Sequence, residues 1–110
     1  MADYKHYITQ TQENGSVMIS EDVIAAIAEH ALNDVEGATL LRDIKNWNKG
    51  IKILIAEDNS VSISMNITVT FGHSVVEVAA AAQKAVSASV ENRTGVKVSE
   101  VNVNICGIAK

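Results

Sequence analysis

Apolar and polar residues alternate without a break from Val61 to Phe71, as Val-Ser-Ile-Ser-Met-Asn-Ile-Thr-Val-Thr-Phe. A period of two marks a strand with one buried face. The odd-numbered side chains are expected in a core. The Ser, Asn and Thr side chains are expected to face water, or a second surface that accepts hydroxyls. Ile51, Ile53 and Ile55 alternate with Lys52 and Leu54 and predict another strand just upstream. Between the two, Glu57-Asp58-Asn59-Ser60 reads as a tight turn, because Asp and Asn tolerate positive φ angles. Gly15 to Ile19 and Ala38 to Leu41 read as short strands. The chain ends in a further alternation, Val96 and Val98, then Val101, Val103 and Ile105. Its phase slips by one between Val98 and Val101, which predicts a bulge at Ser99-Glu100.

Two segments carry the helical period instead. Ser20 is a good N-cap, and Glu21 and Asp22 follow where the helix dipole favours acids. Val23, Ile24, Ile27, Ala28 and Ala31 recur at helical spacing, so a helix is predicted from Glu21 to about Asn33. Ser74 with Glu77 three residues later is a capping box. The helix it opens has Val75, Val78, Ala79, Ala82, Val86 and Val90 on one stripe, and Gly95 is a natural stop. Successive helical residues advance by about 100°, so some of Ala79 to Ala82 must face away from the sheet.

The elements predict an α+β fold of two layers, with two helices packed on a mostly antiparallel sheet of three to five strands. Residues 1–14 are polar and lack periodicity, and are expected to form a flexible arm before a single domain over 15–110. At 110 residues, one core is all the chain can build. Apolar residues at 47% and charged residues at 20% place it among globular sequences. Only 4% are aromatic, so Val, Ile, Leu and Ala must fill that core.

A formal net charge of −4 disfavours nucleic acid as a partner, since phosphate neutralisation supplies most of such affinity. Cys106 is the only cysteine, which excludes an internal disulfide and fits a reducing compartment. The polar first twelve residues hold no apolar h-region, so no signal peptide is expected. No apolar run approaches the roughly 20 residues of a bilayer span. Cytoplasmic localisation is expected, with any membrane contact made through something else.

Three stretches together resemble the alkaline shock protein family of small bacterial proteins. They are Gly15-Ser-Val-Met-Ile-Ser-Glu-Asp-Val-Ile-Ala-Ala-Ile-Ala28, Val35-Glu-Gly-Ala38, and Val69-Thr-Phe-Gly72 followed by Val76-Glu-Val-Ala79 and Gln83. The last continues through Val90-Glu-Asn-Arg-Thr-Gly95 to Val101-Asn-Val-Asn-Ile105 and Gly107. Ala38 departs from the family's usual Val. The resemblance implies a non-catalytic interaction or scaffold protein linked to cell-envelope stress homeostasis. It implies a small membrane anchor protein as a partner, at the inner membrane face; homo-oligomerisation is expected instead from the small, weakly polar face that Ala79 to Ala82 give the second helix. A second branch of the family implies regulation of acetyl-CoA carboxylase and fatty acid synthesis instead. The family supplies no catalytic residues and no cofactor.

The residues themselves point to little chemistry. His6, His30 and His73 belong to different elements, whereas a metal ion needs ligands converging within roughly 2.0–2.3 Å. His73 lies near a helix N-terminus, where an anion would be favoured, but the expected reading is an exposed turn residue. Cys106 is expected to be a passive strand thiol, for want of a neighbouring base. No nucleophile elbow and no Gly-rich phosphate loop is present. The most basic window is Arg42, Lys45 and Lys49 around Trp47. A Trp in a polar loop is either tucked onto the core or offered to a partner. These four residues are the candidate partner contact, suited to an acidic protein surface or anionic lipid.

Overall fold

The computed structural model describes residues 6–41 and 50–110. Its elements run β1 (Tyr7–Gln12), β2 (Gly15–Ser20), α1 (Glu21–Asn33), β3 (Ala38–Leu40), β4 (Ile51–Ile55), β5 (Val61–Thr70), α2 (Val75–Thr94) and β6 (Val98–Ala109). The fold is α+β, with two helices over a four-stranded sheet and a separate two-stranded hairpin.

β5 is the centre of the sheet, with β3 and β4 on one side of it and β6 on the other. Val61, Ile63, Met65, Ile67 and Val69 are all at most 1% exposed, and the residues between them turn to the other face. β4 runs antiparallel to its first half and β3 antiparallel to its second half. β3 and β4 therefore lie end to end along one side of β5. Leu41 donates its N–H to the Asn66 carbonyl at 2.8 Å, and Asn66 donates to the Gly50 carbonyl at 2.9 Å. Leu41 and Gly50 thus share the backbone role that one residue would have opposite Asn66.

β6 lies on the opposite side of β5 and runs parallel to it, as a helical crossover requires. Val98 pairs with Val61 and Glu100 with Ser62, which leaves Ser99 unpaired. This is the bulge the sequence phase demanded, and the Ser99 hydroxyl donates to the Val61 carbonyl at 3.0 Å. A second irregularity follows at Cys106, between the pairs Ile67–Ile105 and Thr68–Gly107. The two bulges keep Val98, Val101, Val103, Ile105 and Ile108 level with the buried row of β5.

Both helices form as their sequences predict. The Ser20 hydroxyl accepts from Val23 N–H at 3.4 Å, and the Ser74 hydroxyl accepts from Glu77 N–H at 3.3 Å. Gly95 closes α2 in the left-handed conformation at φ 74°, and its N–H donates to the Glu91 carbonyl at 2.9 Å. α1 packs over β3 and β4, α2 packs over β6, and the helices contact each other. Ile24, Ala28 and Leu32 from α1 meet Ala82, Val86 and Val90 from α2 in one core with the β5 row. Burial of each Val, Ile or Leu side chain among them contributes roughly 1.5–3 kcal/mol.

Two expectations need correction. The arm drawn over residues 1–14 is a strand from Tyr7 to Gln12, paired in register with Gly15–Ser20 through a two-residue turn at Glu13-Asn14. Its Ile8 is 2% exposed and belongs to the core. Gln10 Nε2 donates to the Thr94 carbonyl at 2.8 Å, which ties the hairpin to the end of α2. Periodicity missed this strand because Thr9, Thr11 and Gln12 are polar on both faces. Secondly, the inward alternation ends one residue early. Phe71 has the parity of the core row, yet it is 72% exposed because the strand stops at Thr70 and the chain turns.

Candidate functional site

Arg42, Lys45, Trp47 and Lys49 lie outside the described residues. Their flanks are placed, however: Leu41 and Gly50 bracket the segment at the β3–β4 edge of the sheet.

The three histidines stay apart. His6 Nδ1 lies 3.4 Å from Glu21 Oε2 beside the hairpin, at the start of α1. His30 sits in the last turn of α1, beside a small hollow it shares with Ala26, Ile27 and Arg93. His73 occupies the β5–α2 corner, where its backbone N–H donates to the Thr70 carbonyl at 3.1 Å. Its ring lies against Gly37: a Cβ there would come within 2.9 Å of His73 Cγ and Nδ1. His73 is an exposed turn residue, as the sequence predicts, with its ring beside Gly37. The open groove beside it is lined by Asp34, Glu36 and Glu77 as well as Ser74 and Val78. Three carboxylates there oppose an anion, and the helix N-terminus is already capped by Ser74. Among the described residues, no group of three His, Cys, Asp or Glu side chains is arranged to hold a metal ion.

Cys106 is exposed at the second β6 bulge, with its Sγ 3.7 Å from the Asn104 carbonyl. The polar strand positions form an open face on the side of the sheet away from the helices. Ser62, Ser64, Asn66 and Thr68 on β5 stand there beside Glu100, Asn102 and Asn104 on β6. Five of them pair with one another: the Ser62 hydroxyl and Asn102 Nδ2 both donate to Glu100 Oε2 at 3.1 Å, and Asn104 Nδ2 donates to Asn66 Oδ1 at 3.0 Å. Such mutual pairing holds the face flat and polar. In the β4–β5 turn, Asn59 adopts φ 68° as its composition predicts. Asp58 accepts from the Ser60 hydroxyl at 2.7 Å and the Ser60 N–H at 3.0 Å, which hold its carboxyl below the usual aspartate range.

The feature that sequence reasoning missed is an apolar end of the molecule. Phe71 at 72% exposed and Val76 at 77% flank the β5–α2 corner, with Val75 and Ile108 also exposed. Phe71 N–H donates to the Ala109 carbonyl at 2.7 Å, so Phe71 sits beside the end of β6. The signal was present in Val75-Val76, two adjacent apolar residues of which one helix face can bury only one. On α2, Ala80 and Ala81 of the alanine run are exposed, as is Ala88. No described helix is long and apolar enough to cross a membrane.

Comparison with known proteins places the chain. It is 32% identical over 105 residues to the uncharacterized protein YqhY of Bacillus subtilis, covering 86% of this chain and 77% of that one. It is 29% identical over 106 residues to the uncharacterized protein Spy1535 of Streptococcus pyogenes serotype M6, covering 89% and 82%. No solved structure gives a significant match. The model of the alkaline shock protein 23 family, described as having a cell envelope-related function, matches residues 9–110. That match spans both helices, the whole four-stranded sheet and most of β1, and the chain belongs to this family.

Proposed function

We propose that the chain is a non-catalytic interaction module that serves the cell envelope by contacting protein partners. The observation that carries this reading is the apolar end formed by Phe71 and Val76, 72% and 77% exposed, beside the end of β6. Large apolar side chains grouped on a surface mark contact sites, because their burial against a partner is the main favourable term in association. The basic segment of Arg42, Lys45, Trp47 and Lys49 is a second contact by its chemistry: an aromatic anchor among cations in a chain of net charge −4.

The test is an affinity pull-down of the tagged chain from its own host, with soluble and membrane fractions kept apart. The native chain runs beside Phe71→Ser/Val76→Ser and beside Trp47→Ala/Lys45→Glu/Lys49→Glu. A small membrane protein recovered by the native chain and lost from one variant supports the envelope scaffold and locates its contact. Acetyl-CoA carboxylase subunits recovered from the soluble fraction would replace that reading with regulation of fatty acid synthesis. Identical recovery by all three chains would remove both contacts from consideration.

A further inference from the structure

β6 ends the sheet. It pairs with β5 along one side and, among the described residues, no strand pairs with its other side. The Ala109 carbonyl accepts from Phe71, so Ala109 turns its backbone toward β5. Alternation along the strand, with one residue skipped at Cys106, turns the N–H and C=O groups of Val101, Val103 and Ile105 outward. Gln83 Nε2 reaches the Val101 carbonyl from α2 at 3.1 Å, in keeping with that direction.

Such an edge invites another strand, and proteins usually blunt it with Lys, Pro or a cover. From Val98 to Ala109 there is no Lys and no Pro, and Glu100 is the one charge. The core is also unfinished here. The β5 row is at most 1% exposed, whereas its β6 neighbours Val101, Val103 and Ile105 are only half-buried. The flank of α2 beside β6 leaves an open cleft, lined on the helix by Ala80, Gln83, Lys84 and Ser87.

The sequence of the regular stretch between the two bulges indicates which strand fits. Val101-Asn-Val-Asn-Ile105 reads nearly the same in both directions. Paired antiparallel with itself about Val103, it sets Val101 opposite Ile105 on the helical face and Asn102 opposite Asn104 on the open face. Glu100 then falls opposite Cys106 and not opposite another carboxylate. We propose that β6 pairs antiparallel with β6 of a second copy across a two-fold axis at Val103, making one continuous sheet through the dimer. An isologous pairing of this kind closes and does not propagate. It is independent of the partner contact proposed at the Phe71 end.

Asn102 and Asn104 are exposed on the open face, so charges placed there leave the monomer core untouched. The purified full chain is followed by sedimentation velocity over a range of concentrations. Beside it run Asn102→Glu/Asn104→Glu and Asn102→Lys/Asn104→Lys, each checked for native circular dichroism. The native chain is expected to dimerise. Each variant alone opposes like charges across the axis and should dissociate about tenfold more readily or beyond, and an equimolar mixture of the two should restore the dimer. A native chain that stays monomeric, variants that dimerise like the native chain, or a mixture that fails to recover would each overturn the proposal. Should a variant lose its fold, amide exchange of the native chain decides the matter. Protection of Val103 and Ile105 must rise with protein concentration, and a flat profile overturns the pairing. A chain that captures envelope proteins while remaining monomeric would sink this inference and leave the proposed function standing.

Discussion

Gly50 is where one residue determines the path of the chain. It sits at φ 70°, and a Cβ on it would overlap the Leu41 carbonyl oxygen. That carbonyl is backbone, in the residue whose N–H bonds the Asn66 carbonyl, and it must shift to admit a side chain. Gly50→Ala is therefore expected to destabilise the domain by at least about 2 kcal/mol, from the left-handed backbone and the overlap together. Urea unfolding followed by circular dichroism measures it; an unchanged midpoint would mean the edge can separate at Leu41 without cost. Gly37 illustrates a gentler version, since its missing side chain is the space that the His73 ring occupies. His73 is the exposed turn residue that the sequence predicts, with its ring set against Gly37.

At the scale of elements, the caps and bulges are where local chemistry becomes architecture. Ser74 stops the backbone of the β5–α2 turn and satisfies the Glu77 N–H at 3.3 Å. Ser74→Ala removes that acceptor and is expected to cost about 0.5–2 kcal/mol, while Ser74→Asp should retain most of the stability. Urea midpoints of the two variants check this, and equal losses in both would show that the hydroxyl does not act as a cap. The β6 bulges act in the same way on a longer strand. Ser99 and Cys106 each absorb one residue, and without them half of the strand's valines and isoleucines would turn to the polar face. The first bulge was legible as a phase slip. The second was signalled only by Gly107 and Ile108 falling off the phase set by Ile105, too short a run to read as a pattern.

For the molecule as a whole, the hairpin decides where the domain begins. Ile8 is 2% exposed against the same core as Leu32 and Val90, and Gln10 secures the hairpin to Thr94 at 2.8 Å. Ile8→Ala is expected to cost about 2–5 kcal/mol, the range for a large-to-small change at a fully buried site. Deletion of residues 1–14 should cost at least as much, because it also removes the strand that pairs with β2. Thermal and urea unfolding of both variants test this, and native-like midpoints would return the segment to the status of an arm. Function also resolves at this scale. The helices cover one face of the sheet, the other face is polar and internally paired, and the β6 edge and the apolar end at Phe71 and Val76 remain open.

What the sequence determined by itself is local and periodic. The span of α1, the strand Ile51–Ile55, the alternation from Val61, the Ser20 and Ser74 caps and the Gly95 stop all follow from interactions between residues a few positions apart. The family was legible too, because its marks are these same elements in order. The tertiary structure alone decided what depends on partners distant in sequence. Tyr7–Gln12 became a strand through Ile8, Gln10 and the ladder to β2, none of which its polar composition announces. Phe71 left the core because the strand ended beneath it, and β3 and β4 came to share one side of β5 because Leu41 and Gly50 meet across a distance that no period encodes. The exposed edge of β6 belongs to the same class: a strand's pattern specifies its faces, but only the assembled sheet determines which of its two sides is left unpaired.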